Sequence, residues 1–364
     1  MVRIGVIGLG FMGMTHFEGA TSFEDSADGL RRIVGSKLDG GQVTAIATRN
    51  EAKLNGDWTS IQGNFGPQGG NNDLTDIKKY SDYHDLLNDP DIDLVDICLP
   101  TDQHEQVVLE SIAAGKNTLV EKPIAVDLAA ADRMLAAAEQ AGVQLLVAHV
   151  LPFFPEFMYV SNVVKTKEYG KLKAAHFRRV ICPPDWSAGM SDFKKLGGWG
   201  VDLHIHDNHF LSTLCGVPSR VFSRGTLVEG FVNHVHSSYV YDDPELAVTC
   251  LSGGIAAQGL NFAHGFELYL ERATIVYGAG TYNGDWVTDR ELTLLTNDDK
   301  KLQVPELPGG TEWCSAFTAE LQAAVDSIRD GSANPLLSST LARDALKLCY
   351  AEAESISSGE LVNM

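Results

Sequence analysis

Along the first 150 residues, short apolar runs alternate with segments of helical spacing. Residues 2–7, 43–47, 94–99, 118–120 and 144–148 are strand-length and almost continuously hydrophobic, which is how strands buried on both faces read. Between them, 102–114 follows a capping Thr101 or Asp102 and stops at Gly115, and the alanine-rich stretch 128–141 stops at Gly142; both read as helices. Strand, helix, strand at this rhythm predicts a doubly wound parallel sheet.

The texture changes after about residue 150. Residues 172–181, 220–228, 246–251, 255–262, 266–271 and 273–277 are β-like, several alternate, and turn residues separate them. They predict a mainly antiparallel open sheet with helices at 199–214, 312–329 and 340–357. The expectation is an α/β domain over 1–149 followed by an α+β domain over 150–364 for substrate binding and oligomerisation, its last helices able to pack back on the first. The glycine-rich segments 21–41 and 55–73 read as surface insertions or loops.

Composition narrows the functional classes. At 364 residues, 44% hydrophobic and 21% charged, the chain can bury two cores. A balance of 28 basic against 48 acidic residues, net −20, argues against nucleic-acid and anionic-membrane partners. The first strand begins directly after Met1, leaving no room for a signal peptide, and no apolar run reaches membrane-spanning length; a cytoplasmic protein is expected. The six cysteines contain no C-x-x-C pair, so reduced thiols are expected.

The chemistry-bearing motifs lie at strand ends. Gly8-Leu9-Gly10-Phe11-Met12-Gly13 follows the first strand and opens a helix, the G-x-G-x-x-G arrangement in which bare backbone approaches a pyrophosphate. This makes 1–149 a dinucleotide-binding Rossmann domain, with Gly8, Gly10, Phe11, Met12 and Gly13 as cofactor contacts. The second strand runs into Thr48-Arg49-Asn50, without the carboxylate that binds ribose hydroxyls. A hydroxyl and a guanidinium suit a 2'-phosphate, so NADP is favoured over NAD. Pro100, Thr101 and His104 follow the 94–99 strand and are candidates to line the nicotinamide ribose. Glu121-Lys122-Pro123 closes the next strand and puts a lysine where a nicotinamide would lie. In 197–210, Asp202, His206 and His209 share one face of a helix and His204 points elsewhere. An imidazole there could take a proton from a substrate hydroxyl, with Asp202 orienting it. The same trio could ligate a divalent ion, but no comparable pattern occurs elsewhere, and no metal is expected.

With these motifs in hand, the chain resembles the Gfo/Idh/MocA oxidoreductases over essentially its whole length. The likeness rests on the glycine fingerprint, on 96–101 with His104, on Ala114-Gly115-Lys116 leading to Glu121-Lys122-Pro123, on Asp202 with His206, and on 317–331. The resemblance implies that Lys122, Asp202 and His206 serve substrate binding and proton transfer, with Glu121 and Lys122 beside the nicotinamide. It also implies hydride exchange between NAD(P) and a secondary alcohol or ketone carbon of a sugar or cyclic polyol, in a homodimer or homotetramer. A redox-cycling NAD-dependent glycoside hydrolase and a non-catalytic dinucleotide- and sugar-sensing regulator are the alternatives. A narrower likeness joins 148–157 to 202–207. Two positions depart from the family pattern: Pro152 where arginine is common, and His209 where an aspartate usually follows the histidine. Without that arginine, an anionic or strongly arginine-bound substrate is disfavoured.

Overall fold

Main-chain pairing joins the apolar runs of the first 150 residues into one sheet. The structure is a computed structural model that describes residues 1–27, 29–63, 65–183, 192–297 and 303–364. Six strands, β1 Val2–Ile7, β2 Gly41–Ala47, β3 Lys78–Tyr80, β4 Leu94–Ile97, β5 Asn117–Glu121 and β6 Leu145–Ala148, lie in the order β3-β2-β1-β4-β5-β6. Every pairing is parallel. Their continuous hydrophobicity has the expected cause: Ile4, Val6, Leu94, Val95, Leu119, Val120, Leu146 and Val147 are all fully buried. Strand order reverses between β1 and β4, and ligands of such sheets bind at that reversal, beyond the carboxyl ends of the strands.

Helices α1 Phe11–Ala20, α2 His104–Ala113 and α3 Leu128–Ala141 follow β1, β4 and β5. The predicted stop at Gly142 is real: it adopts φ +67°, and Asp127 Oδ1 caps the other end of α3 by accepting the Ala130 N–H at 2.8 Å.

The segments read as loops are more ordered than their glycines suggest. Thr21–Asp25, Arg31–Ser36 and Asn72–Asp73 form a three-stranded sheet, held in part by the Arg31 guanidinium 4.3 Å above the Phe23 ring. Trp58, fully buried, stands edge-on to Phe17 at 5.0 Å and anchors the second segment. Asp28 and Asn64, one in each segment, lie outside the described residues.

The β-like second half forms an eight-stranded sheet. Its strands are β7 Leu172–Ile181, β8 Arg220–Val228, β9 Phe231–Val240, β10 Ala247–Gly254, β11 Leu260–Leu270, β12 Ala273–Tyr282, β13 Asp285–Thr296 and β14 Val362–Asn363. They run in the order β13-β12-β11-β7-β10-β9-β8-β14. Only the β7–β10 pair is parallel, the rest antiparallel. The two runs expected at 255–262 and 266–271 merge into β11, and β9 and β13 were not anticipated. Phe157, Phe177, Phe210 and Phe266 form the aromatic centre of this core, with Phe157 edge-on to Phe210 at 4.9 Å and to Phe266 at 5.1 Å.

The two terminal helices occupy Ser315–Asp330 and Ser339–Ser358. The chain forms two compact units, Met1–Phe153 with Gly309–Ala342, and Phe154–Pro308 with Arg343–Met364. Among the described residues no helix is long and apolar enough to cross a membrane. All six cysteines are free thiols, four of them buried.

Candidate active site

In the first unit the site begins at the glycine turn, whose three glycines have three different reasons. Gly8 takes φ +94°, and a Cβ there would stand 2.7 Å from the Cys98 carbonyl. A Cβ on Gly13 would collide with the Gly8 carbonyl. At Gly10 a Cβ would meet nothing within 4 Å, so packing does not require glycine there; the open space lies in front of the α1 N-terminus. The first amides of α1 have no intrahelical acceptor, and with that opening they fit a dinucleotide pyrophosphate. Phe11 and Met12 are half-buried at the rim, with Phe65 edge-on to Phe11 at 4.7 Å.

One strand beyond β4, Lys122 follows β5 through a cis Lys122–Pro123 peptide. Its main-chain N–H donates to Glu121 Oε2 at 2.9 Å. Glu121 is itself fixed from below, because its Oε1 lies 3.1 Å from His16 Nε2, while His16 Nδ1 faces Asp96 Oδ2 at 2.9 Å. Burial works against a charge on His16, yet Asp96, and after it Cys98, hold it well above the ordinary imidazole value. Glu320, fully buried on the Ser315–Asp330 helix with Oε2 3.9 Å from His16 Nε2, is pushed well above the usual carboxyl range, first by burial and then by Glu121 and Asp96. These four side chains form a buried base under Lys122 that motif spacing did not reveal.

His104 was expected to face the cofactor. Its ring is instead fully buried, with Nε2 2.8 Å from the Leu99 carbonyl and Nδ1 2.9 Å from the Pro123 carbonyl. Burial pulls its pKa down. His104 braces the β4 and β5 ends against each other, leaving Pro100 exposed and Thr101 at the start of a 3-10 turn. At the end of β2, Thr48 is half-buried and accepts the Asn50 N–H at 3.3 Å, and Arg49 is exposed. Nearby, Lys53 Nζ donates to the Leu9 carbonyl at 2.6 Å, a link across 44 residues invisible in the motif.

In the second unit the helix expected over 199–214 is broken. It runs as α4 Trp199–Asp202 and α5 Ile205–Cys215, with Leu203 and His204 between them. At the break the Leu203 and His204 N–H groups both donate to the Trp199 carbonyl, at 3.1 and 2.9 Å, and the buried His204 ring pairs with Glu352 Oε1 at 2.9 Å. Glu352 also takes Asn208 Nδ2 at 2.7 Å and the Tyr239 hydroxyl at 3.0 Å. Beside this network, Arg179 holds Asp207 through two buried bonds of 2.8 and 3.1 Å. Between Trp199 and Phe210 only Asp202 and His206 are partly exposed. His209, grouped with them from spacing, is buried, and the clusters of potential metal ligands among the described residues are His16, Asp96, Cys98 and His204, Asp207, Cys250 instead. In both, the imidazole is already ion-paired with a carboxylate.

The His204–Glu352 pair gives a pH-dependent prediction. Burial opposes charge on both, but each outweighs it for the other: His204 is held above its ordinary 6.5 and Glu352 below its ordinary 4.5. The histidine's contribution is complete below 6.5 and fades as pH rises through its raised value; the glutamate's is complete above 4.5 and fades as pH falls through its depressed value. Glu352→Gln should therefore cost about 3 kcal/mol at a pH of about 5.5, and less at alkaline pH. Urea unfolding of both proteins across that range checks it; a cost independent of pH would show that shape, not charge, is at stake.

Residues 2–149 match the family described as "Oxidoreductase family, NAD-binding Rossmann fold". The chain is 32% identical over 146 residues to the uncharacterized oxidoreductase YrbE of Bacillus subtilis, covering 40% of this chain and 42% of that one. It is 24% identical to the myo-inositol 2-dehydrogenase of Thermotoga maritima, covering 98% of this chain and 96% of the enzyme. The crystal structure of a probable dehydrogenase from Thermotoga maritima superposes with a TM-score of 0.75 at 21% identity, over 100% of this chain and 98% of that one, a likeness of fold. Residues 2–149 thus match the Gfo/Idh/MocA oxidoreductase family model, with its NAD-binding Rossmann fold.

Proposed function

We propose that the protein is an NAD(P)-dependent dehydrogenase or reductase that exchanges hydride with a secondary alcohol or ketone carbon of a sugar or cyclic polyol, with NADP preferred. The observation that carries this reading is Lys122, set at the end of β5 in the same row of strand ends as the glycine turn, its main chain clamped by Glu121. The likeness to a myo-inositol 2-dehydrogenase supports the polyol class. When bound, the nicotinamide supplies or accepts the hydride. The amides of the α1 N-terminus hold the pyrophosphate, Thr48 and Arg49 take the adenosine ribose with its 2'-phosphate, and Pro100 and Thr101 line the nicotinamide ribose. Lys122 steadies the charge developing on the substrate oxygen, His206 takes or returns the hydroxyl proton, and Asp202 orients His206 or the substrate. In this division, residues 1–149 bind dinucleotide and 150–364 bind substrate. Tyr269, Trp286, Val287 and Leu295 leave exposed apolar surface on the second sheet, which supports self-association as a dimer or tetramer.

Titration with NADP and NAD, followed by nicotinamide absorbance assays across inositols, aldoses and sugar acids, tests the proposal. Tighter NADP binding and turnover of at least one polyol or sugar are expected. Sugar release from a glycoside without accumulated reduced cofactor would replace it with the hydrolase. Binding without any turnover, and an effect seen only with a partner protein, would replace it with the regulator.

A further inference from the structure

His206, to which the proposed function gives the hydroxyl proton, stands in the first turn of α5, just after the break in the helix. Helix α5 does not take its rotation from α4 alone, because Leu203 and His204 separate the two. Buried side-chain bonds fix the turn at the positions flanking His206. Two residues before it, His204 pairs with Glu352 Oε1 at 2.9 Å. One residue after it, Asp207 accepts two bonds from Arg179 of β7, at 2.8 and 3.1 Å. Two residues after it, the Asn208 amide is held at both ends. Its Nδ2 donates to Glu352 Oε2 at 2.7 Å, and its Oδ1 accepts from the Tyr239 hydroxyl of β9 at 2.8 Å. The six side chains in these bonds are buried, and His206 is partly exposed.

His204 and Asn208, four residues apart, share one face of the turn, and His206, midway between them, points away from that face. The turn is therefore pinned behind the imidazole, from β7, from β9 and from the last helix, Ser339–Ser358. Stability does not call for so many polar groups, since apolar residues of the same volume often replace buried ion pairs without loss. Directional bonds add a single rotational setting, so that α5 can neither roll nor slide without breaking them. Placement matters at this position, because a shift of about 1 Å in a reacting group can lower a rate by about 100-fold.

We infer that Arg179 and Glu352 are positioning residues for His206, which hold the 204–208 turn so that the imidazole meets the substrate hydroxyl in one setting. This rests on the proton-transfer role given to His206 above. Neither residue is asked to touch the substrate. Arg179 acts through Asp207, and Glu352 acts through His204 and Asn208.

A double-mutant cycle on turnover tests it in the full-length protein, with Arg179→Lys and Glu352→Gln each made alone and together with His206→Asn. The substrate is the first of the inositols, aldoses or sugar acids that the wild type turns over, assayed above neutral pH, where Glu352→Gln costs least stability. Lysine keeps the charge of Arg179 and gives up the fork that holds both Asp207 oxygens; glutamine keeps the shape of Glu352. Each single change should lower kcat about 30-fold and leave KM and the dinucleotide Kd within about threefold. In the His206→Asn background the same change should lower the residual kcat by less than about twofold, because the group it positions is gone. The thermal unfolding midpoint should fall by the same amount in both backgrounds. An equal loss of kcat with and without His206 would make the role structural and overturn the inference, as would unchanged kcat in both single variants. Should one variant fail to fold, the other, or Asp207→Asn, carries the same comparison. Normal turnover by His206→Asn, or a wild type that turns over none of these compounds, would overturn the proposed function at this site, and the inference with it.

Discussion

Lys122→Ala should lower kcat by about 1000-fold and leave the dinucleotide Kd within about threefold. The separation follows from the two parts of Lys122. The main-chain N–H that donates to Glu121 is kept in the alanine variant, so the β5 end and its base of His16 and Asp96 keep their geometry. The proposed pyrophosphate cradle is the glycine turn, which follows β1 rather than β5. What is lost is the ammonium, the group proposed to meet the charge on the substrate oxygen as hydride moves. Steady-state turnover beside a dinucleotide titration checks both halves, and a variant with normal turnover would end the assignment of Lys122. Should both activity and binding disappear, the role would be structural, and the thermal unfolding midpoint would fall with them.

Gly10→Val should do the reverse, leaving stability within about 1 kcal/mol and weakening dinucleotide binding by about 100-fold or more. The backbone at Gly10, φ −89° and ψ −159°, is extended and suits any residue. A Cβ there would meet no protein atom within 4 Å, so the added methyls project only into the opening before α1. Gly13 offers no such separation, because its Cβ would strike the Gly8 carbonyl and the damage would reach the fold. Thermal unfolding and dinucleotide titration of Gly10→Val decide the matter. Unchanged affinity would show that the opening is not where the pyrophosphate lies.

The parallel sheet was legible because five of its six strands are mostly buried and read as local apolar runs, whereas β3, with Lys78 and Lys79 exposed, was not anticipated; the glycine turn was legible because its spacing is covalent. The second sheet was harder for reasons visible in β9 and β13. Two successive half-buried residues, Asn233 and His234, break the alternation of β9 opposite the irregularity at Thr226 and Leu227 of β8. β13 is exposed from Asp285 to Glu291 and shows no apolar period there. In the site, strand-end residues such as Lys122 and Thr101 could be placed from motifs, but their supports could not. His204 meets Glu352 across 148 residues and His16 meets Asp96 across 80. Reading 199–214 as one continuous helix grouped His209 with Asp202 and His206; the helix is instead interrupted at Leu203 and His204, whose N–H groups share the Trp199 carbonyl, and His209 is buried.

The burial pattern from Trp199 to Phe210 bears on how this segment can change over time. Ten of its twelve positions are buried, so substitutions there are filtered by folding whatever the protein does. Asp202 and His206, the two partly exposed positions, carry little of that filter. If selection for activity were relaxed while selection for a folded chain continued, these two would drift first and their neighbours hardly at all. On the proposed function their side chains would record the demands of chemistry, while the ten around them record those of packing.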